Sequence, residues 1–436
     1  MIEDNVPAPT SASDLRHEGA SDDLELVRPI PRISIQAFCE TEAVAAPLEE
    51  AAGDRRMVKA HVRVHMGGIR AAADHYAGAP TPNLVILESR YAPDQLLHEL
   101  EALADVCDPG SKVVIVGHTN DVALYRELIR RGISEYLVAP ITLGDVLNVI
   151  SALFVAPDAA PLGRTLAFVG AKGGVGSSTI AHNVAWSISR LFSTDVVLAD
   201  LDLPFGTANI NFDQDPAQGI AEAVYSADRM DDVFLDRLLA KCADHLSLLA
   251  APSILDRTYD FPADAFNSLI ETAQRGAPIV VLDVPHAWTE WTKTVLSLAD
   301  EIVITATPDL PNLRNAKNLV EMLKRARPND RLPRLILNQL EMPKRPEISP
   351  DEFAEPLEVE PIARISFDPS VFGTAANNGR MIAETDPKHP SVDAFHKIAH
   401  ALTGRGQPKR AKKRSPLDLF ASFRRRQSTL DSARSG

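Results

Sequence analysis

Cysteine is scarce: three residues in 436, Cys39, Cys107 and Cys242, set far apart. Such spacing builds neither a disulfide framework nor a cysteine-ligated metal site, and it fits a chain that works in a reducing cytosol. Long apolar runs are also missing. No uninterrupted stretch reaches membrane-spanning length, and the amino terminus carries no basic-then-apolar leader. A soluble, cytoplasmic chain is therefore expected. Positive charge is in deficit, with a net charge of −14, but unevenly so. From Gly404 onward Lys and Arg exceed Asp by eight, which leaves −22 on the rest. A basic tail on an acidic body points to an anionic partner surface.

What is present is enough apolar residue, 45%, to bury sizeable cores, in a length that suits about two or three domains. Residues 1–29 are rich in Pro, Ser, Ala and Asp and are expected to be disordered. Short apolar runs then alternate with helical spacing. Ile33–Phe38, Val62–Val64, Leu84–Leu87, Val113–Val116 and Tyr136–Val138 read as strands, and Leu96–Leu103, Val122–Ile129 and Leu143–Phe154 as helices. This alternation implies a parallel sheet with helices on both faces over residues 30–155. A Pro/Ala/Gly connector at 156–163 marks a boundary, ahead of a second α/β domain at 164–403 and the basic tail at 404–436.

The stretch Thr165-Leu-Ala-Phe-Val-Gly-Ala-Lys-Gly-Gly-Val-Gly-Ser-Ser-Thr179 opens that second domain. Leu166–Val169 has strand character. Ile180, Val184, Ile188 and Leu191 follow at helical spacing, and four glycines lie between. A glycine-rich turn from strand to helix aims backbone N–H groups at one point, where the helix dipole also favours an anion. Two acids, Asp200 and Asp202, end the next strand, and strand alternation would place them on one side. Ile279–Asp283 is a further buried strand closing in an acid.

These motifs resemble the deviant P-loop ATPases of the MinD/ParA class. The resemblance implies ATP with Mg²⁺, cradled by Lys172, Gly173, Gly174, Val175, Gly176, Ser177, Ser178 and Thr179. It implies that Lys172 reaches a dimer partner's nucleotide, that Asp202 positions the attacking water, and that Ser178 and, through water, Asp283 hold the metal. It also implies that Asn338 meets adenine, with the loop Ile365–Asp368 closing over the base, and that Ala375–Gly379 is a turn before the last helix. The departure is Ser177, which stands where the class has a phosphate-gripping lysine and implies weak binding and slow hydrolysis.

The first domain resembles a response-regulator receiver. Glu88 stands at the phospho-accepting position, Ala139 stands where that family has lysine, and Gly117-His118 follow the fourth strand. A degenerate receiver used for docking or dimerisation is expected. A receiver fused ahead of a MinD/ParA domain resembles the CpaE/TadZ family, which localises the Flp/Tad type of bacterial pilus machinery. That resemblance implies a homodimer formed on ATP binding, the pilus secretion ATPase and other assembly proteins as partners, and a site at the inner membrane or cell pole. The tail adds a candidate amphipathic helix from Ser415, with Leu417, Phe420 and Phe423 beside Arg424–Arg426. Membrane or partner docking, DNA contact and a solvated tail are its three readings. The alternatives for the whole chain are a partition-type ATPase on DNA and a non-hydrolysing scaffold. An iron–sulfur reductase of the same superfold is disfavoured, because the cysteines do not cluster.

Overall fold

The computed structural model describes residues 27–155, 162–252, 255 and 258–405. Most of the leading segment, the linker and the tail helix therefore lie outside the described residues.

Five strands form the first sheet: β1 (Ser34–Cys39), β2 (His61–Met66), β3 (Leu84–Ser89), β4 (Lys112–Gly117) and β5 (Glu135–Val138). Their order is β2-β1-β3-β4-β5 and every pairing is parallel, the flavodoxin-like arrangement. β3 is buried along its whole length, which is why it reads as one apolar run. Two helices that the sequence reading passed over, Glu42–Ala52 and Gly68–Tyr76, complete the alternation. The first has an apolar face of Val44, Ala45, Leu48 and Ala51, but Pro47 sits inside it.

Eight strands form the second sheet: β6 (Arg164–Gly170), β7 (Val196–Asp200), β8 (Ala240–Ala243), β9 (Leu246–Leu249), β10 (Ile279–Val284), β11 (Glu301–Ala306), β12 (Arg334–Leu340) and β13 (Pro361–Ser366). The order is β13-β12-β11-β6-β10-β7-β9-β8, and only β8 runs antiparallel to its neighbour. Alternating residues of β6 feed two cores. Leu166 and Phe168 pack with Ile180, Val184 and Ile188 of the helix Ser177–Phe192, while Ala167 and Val169 face the helices Asn267–Gly276 and Glu290–Leu298. Both faces are thus covered, as a parallel sheet requires.

Several expectations need correction. Leu191, at helical spacing with Ile180, Val184 and Ile188, is 39% exposed and does not share their buried face, and Phe192 packs against that core instead. Ile365 and Ser366 belong to edge strand β13 and not to a loop. Ala375–Asn377 are helical, within Pro369–Asn377, so no turn begins there. The chain does turn at Gly379, whose φ of +58° suits glycine.

Candidate functional site

β6 lies between β11 and β10, so the loop after it opens at the point where the strand order reverses, the usual ligand edge of an open α/β sheet. The helix Ser177–Phe192 starts there, and no side chain caps it. Gly174 and Gly176 have φ of +80° and +85°. A Cβ on Gly176 would come within 2.6 Å of Asn338 Nδ2, so glycine is required there by both conformation and space.

The loop's carbonyls are held from outside. Asn338 Nδ2 donates to Val175 O at 2.8 Å, Gln339 Nε2 to Gly174 O at 3.0 Å, and Asn315 Nδ2 to Ala171 O at 2.9 Å. His286 Nδ1 lies 2.9 Å from Gly170 O. In a trans peptide the C=O and N–H point in opposite directions, so tying the carbonyls back turns amides toward the cradle. Lys172, Gly173 and Gly174 are exposed, Val175 is buried beneath them, and Gly176–Thr179 are half-buried. A Cβ added at Gly173 or Gly174 would meet no atom within 4 Å, so the cradle is open. The Ser177 hydroxyl is buried in the loop without a hydrogen-bond partner. An unpaired hydroxyl, an uncapped helix end and an open glycine loop fit a phosphate-bearing ligand.

The acids converge on the same edge. Asp200 is fully buried at the end of β7, and Asp283 is buried on the adjacent strand β10, with the two paired in register. Burial first, and then the charge of Asp283, push the Asp200 carboxyl well above the ordinary carboxylate range. Its oxygens accept from Asp202 N at 3.2 Å and Ala208 N at 3.0 Å. The strand ends at Asp200, so Asp202 lies in the following turn and not beside it on the strand. It is half-buried and accepts from Phe205 N at 3.2 Å. Burial also raises its carboxyl, against the Phe205 hydrogen bond.

Two residues expected at the base have other contacts. Asn338 directs its amide N–H at the loop, as above. Asp368 caps the helix Pro369–Asn377 through Ser370 N and Val371 N, and it pairs with His389 at 3.3 Å. Gln339, Asn315 and His286 went unread because their contacts with the loop cross more than a hundred residues of chain. His182 and Asn183 had a local signal, two polar residues on a helix face that is otherwise Ile180, Ala181, Val184 and Ala185. Asn183 Oδ1 accepts from Ile382 N at 2.9 Å, which joins the helix to the carboxyl-terminal elements.

The first sheet has its own acid at the same kind of edge. Glu88, at the end of β3, is buried, and its carboxylate accepts from Glu40 N and Thr41 N at 2.7 Å and Thr41 Oγ1 at 2.8 Å. His118 Nε2 lies 2.9 Å away. Every side of that carboxylate is engaged by the protein itself.

No known protein-family profile matches the chain. It is 25% identical over 261 residues to the septum site-determining protein MinD of Bacillus subtilis, covering 57% of this chain and 91% of that one. A ParA family ATPase from Chlorobium tepidum is 26% identical with a TM-score of 0.51, covering 56% of this chain and all of that one. A pilus assembly protein CpaE from Caulobacter crescentus is 52% identical, covering 30% of this chain and 98% of that one, with a TM-score of 0.29. On that sequence identity, the chain belongs to the CpaE family of pilus-assembly proteins, with a MinD/ParA-like fold in its carboxyl-terminal half.

Proposed function

We propose that the chain is an ATP-binding, dimerising ATPase of the MinD/ParA kind that localises the pilus assembly machinery, with slow hydrolysis. The observation that carries this reading is the open glycine loop at the strand-order reversal, with its carbonyls tied outward and three acids beside it. ATP would be held by the amides of Gly173–Thr179, and Mg²⁺ by Ser178 and, through water, Asp283. Bound Mg²⁺ supplies charge neutralisation at the phosphates. Asp202 orients water from its turn. Ser177 cannot provide the positive charge that a lysine would, so transition-state stabilisation is weak and turnover is low.

Dimerisation is supported by the rim of the same edge. Phe205, Trp288 and Leu310, on three separate segments, are 71%, 57% and 68% exposed. Exposed apolar side chains gathered at one edge suit a partner surface, and we assign that surface to a second copy. Lys172, exposed on the loop, then reaches the partner's nucleotide. No helix among the described residues is long and apolar enough to cross a membrane. The proposed place of action is the cytoplasmic side of the inner membrane or the cell pole, beside the pilus secretion ATPase, with the basic tail as the membrane contact.

The test combines calorimetric titration with Mg-ATP and sedimentation, on wild type, Lys172→Ala and Ser177→Lys. Wild type is expected to bind and to dimerise with ATP, and Lys172→Ala to bind without dimerising. Ser177→Lys is expected to bind more tightly and turn over faster. A wild type that stays monomeric in saturating ATP would refute the reading.

A further inference from the structure

Asp283 has a neighbour that the proposed function leaves unused. His182 lies in the helix Ser177–Phe192 and is fully buried. Its Nδ1 is 3.0 Å from Nδ2 of Asn211, and its ring packs against Phe212 at 5.7 Å between centroids. An amide nitrogen only donates, so Nδ1 accepts and the ring proton of the neutral histidine sits on Nε2. Nε2 is 3.2 Å from Asp283 Oδ2, within ion-pair reach but off the line of a hydrogen bond, and it has no other partner. A buried donor left unpaired has lost its hydration with nothing in return. A small turn of the Asp283 carboxylate would complete the bond.

Asn211 closes the short helix Ala208–Asn211, which follows the turn that holds Asp202. The segment 202–212 is thus tied to the site twice, by Asp200 through the amides of Asp202 and Ala208, and by His182 through Asn211. On its outer side it carries Phe205 and Ile210, both largely exposed.

We propose that His182 is a positioning residue that passes the orientation of Asp283 to segment 202–212, so that the contents of the phosphate site set how Phe205 and Ile210 are presented to a partner. The inference rests on the nucleotide reading of the loop. With Asp283 turned toward Nε2, the ring is fixed at both nitrogens and holds Asn211. With the acid turned toward the phosphate loop, the ring has only Asn211 and Phe212, and the segment is freer to move.

The experiment is hydrogen–deuterium exchange over residues 202–213 of the full chain, with and without Mg-ATP, alongside calorimetric binding. In wild type, Mg-ATP is expected to change exchange there at least about fivefold, the low end of coupling between sites. His182→Ala is expected to lose that change, and His182→Gln, which keeps one donor and one acceptor, to restore part of it. Asn211→Ala cuts the far end of the link at a half-buried position, so it should bind Mg-ATP and yet lose the exchange change. It decides the matter if His182→Ala does not fold. Binding by wild type with an undiminished exchange change in Asn211→Ala overturns the relay alone. A wild type that binds no Mg-ATP overturns the nucleotide reading and the relay with it.

Discussion

At the scale of single residues, Glu88 shows how an acid at the end of a buried strand can have its carboxylate fully engaged by the protein. Burial pushes its carboxyl up, but the Thr41 hydroxyl and amide, His118 and the Glu40 amide outweigh that and hold it below its ordinary 4.5. A depressed folded-state value means that the stabilisation is complete above the unfolded value and is lost as pH falls through the folded one. Glu88→Gln places an NH₂ group among donors, and a loss of about 1–3 kcal/mol is expected from the groups left unpaired. Thermal denaturation across pH should show that gap at neutral pH, narrowing in acid as the wild-type carboxylate protonates. A gap that stays constant into acid would mean that the charge is not what the lock uses.

At the scale of elements, the loop between β6 and its helix ties local sequence to distant support. Gly176→Ala forces an L side chain into the left-handed region, at about 1–2 kcal/mol. It also drives a Cβ at Asn338 Nδ2 and breaks the hold on Val175 O. Both a lower melting temperature and weaker Mg-ATP binding are expected, and unchanged binding would show that the outward-tied carbonyls do not shape the cradle. This element also marks how far the sequence could be read. Strands buried on both faces, such as β3, β6 and β10, are continuous apolar runs, and the glycines declare the turn, so the fold and the strand-to-helix glycine turn were legible. The helix Glu42–Ala52 was not, because Pro47 interrupts an alanine-rich face that otherwise has helical spacing. The edge strand β8 was not, because Ala240–Ala243 has neither alternation nor an apolar run. Asn338 reads as an Asn after a strand, and only folding brings it 163 residues back along the chain to Val175.

At the scale of the whole molecule, an ion cluster joins the two sheets. Arg55, in the turn Arg55–Met57 before β2, pairs with Asp330 at 2.7 Å and Asp300 at 3.2 Å. Arg56 pairs with Asp54 at 2.9 Å and Asp330 at 2.8 Å, and Arg327 with Asp330 at 2.9 Å. Three arginines thus meet three aspartates. Asp300 precedes β11 and accepts from Thr165 at the start of β6. The sheets therefore meet across their amino-terminal edges, which leaves both carboxyl edges, with the Glu88 lock on one and the glycine loop on the other, facing outward. Such an arrangement leaves the two edges accessible from opposite ends of the molecule. Asp330 is the hub. Burial raises its carboxyl, but Arg55, Arg327 and Arg56 together hold it below its ordinary 3.8. Its contribution is therefore complete above that value and lost as pH falls through the folded one. Asp330→Ala leaves three arginine side chains short of a counter-charge, and removing one partner from a buried pair costs about 3–5 kcal/mol. We expect Asp330→Ala to lower the melting temperature at neutral pH and to enlarge the radius of gyration in solution scattering as the halves part. A variant Asp330→Ala that melts and scatters like wild type would show that the sheets are held by their apolar contacts and not by the ions.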